Sequence, residues 1–134
     1  MSDIDRLHRQ LCHDLLDAIE EGDLDAVARC YAPDMTMWNN LSATTSTREE
    51  NLAVLAQGYE IQRRRMYNDR LVDTFDDGFL ARYTCHVVLH DGSTVALSSC
   101  LVATVRDGKI THLADYMDSS KFRPRPKKKV EASS

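Results

Sequence analysis

The chain has 134 residues, of which 43% are hydrophobic and 28% are charged, and its formal net charge is −4. These values fit one domain with one core, and the negative charge excludes a general attraction to nucleic acid. No run of about 18 apolar residues is present, which excludes a membrane-spanning helix. The charged start of the chain and four widely spaced cysteines predict a cytoplasmic protein with reduced thiols.

The first half of the chain predicts three helices. Apolar residues recur at helical spacing near the start and indicate an amphipathic first helix: Ile4, Leu7, Leu11, Leu15 and Ile19. This helix is predicted to end at Glu21-Gly22, and Asp23 is a suitable N-cap for a short second helix. Thr47 and Glu50 form a capping box for a third helix, which is predicted to end at about Arg64 among three consecutive arginines.

The remaining segments predict strands. One short strand precedes the third helix and four strands follow it: Met35–Asn40, Met66–Phe75, Phe79–His90, Ser93–Val105 and Lys109–Met117. The segment Leu41–Ser46 is polar and is predicted to be a loop. Asp-Gly pairs separate the last four strands, which favours hairpins. The order α-α-β-α-β-β-β-β predicts the α+β class, with a cone-shaped antiparallel or mixed sheet wrapped around the helices and an interior pocket.

One domain is predicted for residues 1–120. Residues 121–134 contain two prolines and a run of lysines, and are predicted to form a basic, disordered tail. Binding of this tail to nucleic acid or membrane is an open alternative, whereas the domain itself predicts neither partner.

The turns predict which side chains share a face of the sheet. A two-residue loop at Asp91-Gly92 would pair His90 with Ser93, and a three-residue loop ending at Gly108 would pair Val105 with Lys109. Three rows then share one concave face: Thr84–Ser99–Asp115, His86–Leu97–Met117 and Arg82–Leu101–Leu113. If the last loop had only two residues, Asp115 would turn to the other face, because a slip of one residue inverts every side chain.

The opposite face of the sheet is predicted to be fairly apolar as well. It would carry these residues: Tyr83, Cys85, Val87, Ala96, Cys100 and Val102. An antiparallel sheet with one wet face usually alternates more cleanly between apolar and polar residues. The pattern therefore predicts a homodimer that buries this face.

Asp115 is the strongest candidate for a catalytic or binding group. An aspartate in the middle of an apolar strand is costly to bury, and burial would raise its pKa toward neutrality, as acid/base catalysis requires. His86 could share the proton transfer, and Arg82 could hold Asp115 ionised or bind an enolate oxygen. The alternatives are a packed histidine, a structural ion pair for Arg82, and a surface position for Asp115.

Further residues are predicted to bind the substrate. Trp38 and Asn40 could orient a ligand or a water molecule, and Ser99 could hydrogen-bond Asp115. The other predicted pocket residues are Tyr59, Thr84, Leu97, Leu113 and Met117. The cysteines lack a Cys-x-x-Cys motif and the histidines lack ligand spacing, so no metal is expected.

Several segments resemble the SnoaL-like group of the nuclear transport factor 2-like superfamily, which also holds ketosteroid isomerases and limonene-epoxide hydrolases. The resemblance covers about residues 3–120. It lies in the element order, in Tyr31-Ala32-Pro33-Asp34 before a strand, and in the closing Asp107-Gly108-Lys109-Ile110 and Asp115-Tyr116-Met117-Asp118. It implies a cone-shaped sheet around an apolar pocket.

Within that superfamily, the local match is nearest to limonene-epoxide hydrolase. In this resemblance Trp38 and Asn40 fall on the water-positioning tyrosine and asparagine, Arg82 on the arginine, and Asp115 on the water-activating aspartate. Thr84 replaces the acidic aspartate, a departure that removes the proton donor to the opening ring. Ketosteroid isomerase fits less well, whereas SnoaL-like cyclases, which use an aspartate on a late strand, remain compatible with Asp115.

Together these features predict a small enzyme without a cofactor, acting by acid/base chemistry on an apolar polyketide-, terpenoid- or steroid-like substrate. The reaction could be that of an isomerase, cyclase, dehydratase or epoxide hydrolase. The alternatives are a non-catalytic module for small-molecule binding or dimerisation, and a scaffold without a site, because one fold hosts many functions.

Overall fold

The computed structural model describes residues 2–118 and Ser120. Three helices pack on one face of a six-stranded sheet, which confirms the predicted α+β class. The helices and strands are α1 (Asp3–Glu21), α2 (Leu24–Cys30), β1 (Tyr31–Asn39), β2 (Thr44–Thr47), α3 (Arg48–Ile61), β3 (Gln62–Phe75), β4 (Gly78–Leu89), β5 (Thr94–Arg106) and β6 (Lys109–Met117). The predicted basic tail, residues 121–134, lies outside the described residues, and no described helix is both long and apolar enough to cross a bilayer.

The sheet is mixed, and its strand order is β2-β1-β6-β5-β4-β3. β1 runs parallel to β6, whereas every other neighbouring pair is antiparallel. The last four strands form the predicted meander, and the parallel pair brings the first strand beside the last one. The site described below depends on this non-local pairing.

The helix starts agree with the capping signals in the sequence. Asp23 caps α2 through its side chain, and the capping box of Thr47 and Glu50 begins α3. α1 ends at Glu21, and its C-cap, Gly22, has a left-handed φ of 74°, which favours glycine. These signals are local, so they are realised as predicted.

The prediction is wrong in two segments between residues 41 and 65. α3 ends at Ile61 rather than at about Arg64, and the three arginines belong to β3, because Arg64 and Arg65 pair with Val88 and Val87 of β4. The predicted polar loop also contains a strand, β2, which pairs with β1. At the three arginines, pairing with the distant strand β4 outweighs the local helix preference, whereas β2 forms a short hairpin with the preceding strand β1.

The hairpin between β4 and β5 differs from the prediction by one residue. Val88 pairs with Thr94, and the N–H of Leu89 donates to the carbonyl of Ser93, so the loop has three residues, 90–92, and its last residue, Gly92, has a φ of 87°. The predicted pairing of His90 with Ser93 is therefore wrong. Because β4 slips by one position, Tyr83 and Cys85 face the helices instead of Arg82, Thr84 and His86.

The hairpin between β5 and β6 differs from the prediction in two ways, and their effects on the face that Asp115 occupies cancel. Its loop has two residues, Asp107 and Gly108, both with positive φ, so the predicted three-residue loop is wrong. A bulge follows, in which Thr111 is the extra residue between two paired positions of β6. The bulge restores the alternation, and Asp115 lies on the inner face opposite Leu101 rather than opposite Ser99 as predicted.

The core lies between the helices and the inner face of the sheet. Its largest fully buried side chains are Phe79, Leu15, Leu16, Met35, Leu97, Ile110 and Leu113. Tyr83, Cys85 and Val87 are buried in this core, so their predicted place on the opposite face is wrong. Ala96, Cys100 and Val102 do lie on that outer face, where they are exposed or half-buried.

Candidate active site

A cavity of about 520 Å³ lies between the inner face of the sheet and the helices α1 and α3. This volume is within the range of small-molecule sites in proteins. Apolar side chains form much of its wall, including Leu15, Leu16, Ile19, Leu55, Leu101 and Leu113. Polar residues interrupt this wall: Tyr31, Asn39, Ser42, Thr44, Ser46, Asn51, Arg65, Tyr67, Tyr83 and Asp115.

Asp115 places a carboxyl group in this cavity. Its Oδ2 atom accepts a hydrogen bond of 3.2 Å from Nδ2 of Asn39. Its Oδ1 atom is buried and has no hydrogen-bond partner within the described part of the chain. Burial raises the pKa of Asp115 from 3.8 to about 6, although the Asn39 hydrogen bond and the Arg65 charge both act to lower it. Such a group can take and return a proton near neutral pH.

Asn39 is the residue that orients the Asp115 carboxyl group. The two residues pair directly across β1 and β6. The Oδ1 atom of Asn39 accepts a 2.7 Å hydrogen bond from the backbone N–H of Leu41, which fixes the amide so that its NH₂ group faces Asp115. Sequence reasoning missed Asn39, although its alternation with Met37, two positions earlier on β1, could have placed it on the inner face.

Asn40, the neighbour that was predicted to orient a ligand, has a different role. Its Nδ2 atom donates to the carbonyl of Met117, and its Oδ1 atom accepts from the N–H of the same residue. Both functional groups of the amide are thus used in joining the end of β1 to the end of β6.

Buried tyrosines surround the carboxyl group. The rings of Tyr67 and Tyr83 meet edge to face, with their centroids 5.0 Å apart. Tyr31 donates a 2.7 Å hydrogen bond to Oδ1 of Asn51 on α3. Burial raises the pKa of all three phenols well above the usual value, so they remain neutral hydrogen-bond donors at ordinary pH.

Arg65 is the cation of the cavity. Its Nε atom donates to Oε1 of Gln62 at 3.0 Å, and its Nη1 atom donates to the Tyr67 hydroxyl at 3.3 Å. None of the ion pairs among the described residues includes this guanidinium group. The site therefore holds one carboxylate and one guanidinium that do not pair with each other.

The structure brings only part of the predicted site together. Asp115, Leu113 and Met117 line the cavity. Leu97 and Ser99 are buried on the inner face but lie outside its wall, and the Ser99 hydroxyl bonds the carbonyl of Leu97 rather than Asp115.

Tyr59 is likewise absent from the cavity wall. Its hydroxyl donates a 2.8 Å hydrogen bond to the carbonyl of Ile19 and so connects α3 to α1. The predicted place of Tyr59 in the wall of this cavity is therefore wrong.

Three predicted residues of β4 lie on the outer face of the sheet. Arg82, Thr84 and His86 alternate with the buried residues of that strand, and Nδ2 of Asn68 donates to Nδ1 of His86 on the same outer side. Their predicted place beside Asp115 is wrong because of the one-residue difference in the hairpin loop.

Trp38 also lies on the outer face, where its ring packs on Tyr116 with centroids 5.2 Å apart. It pairs with Ala114, the neighbour of Asp115 on β6, and so it points away from the cavity. The prediction that Trp38 contacts a ligand in the cavity is wrong for this reason.

Metal-ligating side chains are not grouped in the described residues: no three His, Cys, Asp or Glu side chains stand together as a metal ion would require. The expectation of a site without metal or cofactor stays a prediction.

Comparison with known proteins gives a family and a fold. The model of the SnoaL-like domain family matches residues 13–113. A search of curated proteins found no match. Among solved structures, a proposed polyketide cyclase from Xanthomonas campestris superposes with a TM-score of 0.81 at 23% identity, covering 90% of this chain and 96% of that one.

Two further structures have the same fold. A nuclear transport factor 2-like protein of unknown function from Burkholderia pseudomallei gives a TM-score of 0.77 at 17% identity, covering 91% of this chain and 95% of that chain. AclR from Streptomyces galilaeus, described as a proposed hydroxylase, gives a TM-score of 0.76 at 14% identity, covering 86% of this chain and 92% of that chain. These superpositions establish the shared fold, whereas the activities belong to those proteins.

Proposed function

Because the chain belongs to the SnoaL-like domain family, we propose that it is a cofactor-free enzyme in which Asp115 moves a proton on an apolar substrate. One observation carries the proposal: a largely apolar cavity holds a carboxyl group with a pKa of about 6, and one of its oxygens has no hydrogen-bond partner among the described residues. A buried carboxyl group whose pKa lies close to neutrality is suited to acid/base catalysis at neutral pH.

The proposed step begins with ionised Asp115, which removes a proton from a carbon next to a carbonyl group. The C–H electron pair forms the C=C bond of an enolate, and the carbonyl electrons move to the oxygen. Where a C=C bond adjoins the deprotonated carbon, the enolate is a dienolate, and protonated Asp115 returns the proton to its far carbon while the double bond shifts into conjugation with the carbonyl group, which is isomerisation. Alternatively, the enolate attacks a second carbonyl group and Asp115 protonates the resulting alkoxide, which is aldol-type cyclisation.

The enolate oxygen needs hydrogen-bond donors. Arg82 and His86 were predicted for this role but lie on the outer face. The neutral phenols of Tyr67 and Tyr83 line the cavity with Asp115 and are the donors proposed in their place. Asn39 holds the carboxyl group of Asp115 in position.

Among the reaction types predicted from the sequence, isomerisation and cyclisation have the better support. Epoxide opening needs a second acid that protonates the leaving oxygen. Thr84, which stands at the matching position, lies on the outer face, and no other carboxyl group lines the cavity within the described residues. The cavity size and its apolar wall support a polyketide-, terpenoid- or steroid-like substrate.

Hydrogen–deuterium exchange tests this function. The probe is 2-tetralone, an apolar bicyclic ketone, incubated in D₂O with the protein, and proton NMR measures the loss of its α-proton signals. We expect catalysed exchange that rises as pH increases through about 6, and a loss of at least roughly 100-fold in Asp115→Asn.

The matched control is Asp34→Asn, which removes an exposed aspartate on β1 and should exchange at the wild-type rate. Equal exchange rates in wild type and Asp115→Asn would contradict the proposed enzymatic function. With ligand affinity retained, that outcome would support the alternative, a non-catalytic small-molecule-binding module with the same apolar cavity.

We also propose that the outer face forms a homodimer in a cytoplasmic setting. Trp38 and Tyr116 place an aromatic pair on this face, and Cys100 and Val102 are half-buried there. All four cysteines are free, which supports a reducing compartment. Light scattering at micromolar concentration tests the dimer, and a monomeric mass would contradict it.

A further inference from the structure

The guanidinium group of Arg65 lines the cavity, but the proposed proton transfer gives it no role. Arginine stays charged in proteins, and a charge in an apolar environment is costly unless a counter-charge accompanies it. Arg65 nevertheless lines the cavity, and within the described residues it forms hydrogen bonds but no ion pair.

The fold turns this arginine inward. Arg64 and Arg65 are consecutive on β3, but Arg64 is exposed, whereas Arg65 shares the inner face with Tyr67. On the helix side, a Cβ atom added to Gly58 would lie 4.0 Å from Nη2 of Arg65. The guanidinium group therefore extends toward α3 at a position that carries no side chain.

The donors of Arg65 are only partly used. The bond to Tyr67 is long at 3.3 Å and joins a charged donor to a neutral phenol, while the bond to Gln62 also ends on a neutral oxygen. A planar guanidinium group presents five N–H donors and binds a carboxylate through two parallel bonds, which neither neutral partner provides.

We propose that the ligand of this cavity is an amphipathic acid whose carboxylate group pairs with Arg65 while its apolar body lies along the leucine wall. This inference rests on the proposed function and deepens it by naming the substrate class. Asp115 and Arg65 lie on β6 and β3, which are three strands apart in the sheet, so a ligand held at Arg65 can present its reacting carbon to Asp115.

The charges of the cavity favour a monoanion. One ionised carboxylate already lines the wall at neutral pH, and one cation faces it. Ionised Asp115 and Arg65 together carry no net charge, so a monocarboxylate paired with Arg65 brings the cavity to −1, whereas a phosphate dianion would bring it to −2 in a largely apolar space. The apolar wall excludes strongly hydrated ligands for the same reason.

Binding of two matched probes tests the inference without measuring turnover. 2-Naphthoate carries the carboxylate, and 2-acetonaphthone has the same ring system with an uncharged ketone. Isothermal titration at pH 7.5 gives the affinity of each probe for wild type, Arg65→Met and the matched control Arg64→Met. We expect Arg65→Met to weaken 2-naphthoate binding at least tenfold and to change 2-acetonaphthone binding less than threefold, with neither probe affected in Arg64→Met.

Equal losses for both probes, or unchanged 2-naphthoate binding, would overturn the inference. If Arg65→Met does not fold, Arg65→Gln removes the charge but keeps a polar group, and the same selective loss is expected. Asp115→Asn should still bind 2-naphthoate more tightly than 2-acetonaphthone, because Arg65 is unchanged in that variant. Loss of that preference only in Arg65 variants, together with unchanged proton exchange in Asp115→Asn, would support the acid-binding site while contradicting the proposed proton transfer.

Discussion

Replacing Asp115 by asparagine should stabilise the protein at neutral pH. The substitution keeps the shape of the side chain, and the new amide oxygen can still accept the hydrogen bond from Asn39. It removes the need to hold a charge in the cavity. A pKa of about 6 in the folded state against 3.8 for an ordinary aspartate corresponds to about 3 kcal/mol, at 1.36 kcal/mol per pKa unit.

The sign of the effect follows from proton binding. The folded protein holds the Asp115 proton more tightly than the unfolded chain does, so stability is greatest when the group is protonated. This contribution is fully present below pH 3.8 and is lost as pH rises through about 6. The advantage of Asp115→Asn should therefore reach about 3 kcal/mol at pH 8 and fall to roughly half of that at pH 5.

Urea denaturation at pH 5 and pH 8, followed by circular dichroism, measures the difference in the free energy of unfolding between Asp115→Asn and wild type. Asp34→Asn, on the exposed side of β1, is the control and should show no such pH-dependent gain. A variant less stable than wild type at pH 8, or a stability difference that does not change between pH 5 and pH 8, would refute the burial of a charged carboxyl group at Asp115.

Three further substitutions probe the fold. Gly78→Ala should cost about 3 kcal/mol or more in the free energy of unfolding, because its Cβ would stand 1.8 Å from the carbonyl oxygen of Ala103. Gly58→Ala should instead stabilise by about 0.5–1 kcal/mol, because its Cβ meets only ordinary contacts at 3.9–4.0 Å within a helix. Asn51→Ala should cost about 1–3 kcal/mol by leaving the buried Tyr31 hydroxyl unpaired, and adding Tyr31→Phe should recover part of this loss. Urea denaturation measures each, and a tolerated Gly78→Ala would contradict the close approach of the two strands.

Helix starts could be predicted from sequence because their causes are local. Thr47, Glu50 and Asp23 make hydrogen bonds with backbone groups three residues away, and Gly22 supplies the left-handed residue that ends α1. The three arginines could not be assigned in this way. Their strand conformation comes from pairing with β4, which lies more than twenty residues further along the chain.

The face of each strand was harder to predict because two Asp-Gly pairs form different loops. Asp91-Gly92 belongs to a three-residue loop, whereas Asp107-Gly108 is itself a two-residue loop followed by a bulge. The same dipeptide is compatible with both solutions. The difference moved Arg82 and His86 out of the predicted site, while the bulge at Thr111 kept Asp115 inside it.

The pairing of Asn39 with Asp115 indicates why this aspartate matters to the proposed function. Their strands are distant in sequence and meet because β1 runs parallel to β6, and the pair leaves one carboxyl oxygen buried with no hydrogen bond from the part of the chain that the structure describes. A neutral residue at this position would stabilise the fold, so packing alone does not explain a carboxyl group there. Residues that break a local rule without a structural gain are expected at functional sites. Arg65, which has no ion pair within residues 2–118, fits the same reasoning, and the two charges together support a site for an acidic, largely apolar substrate.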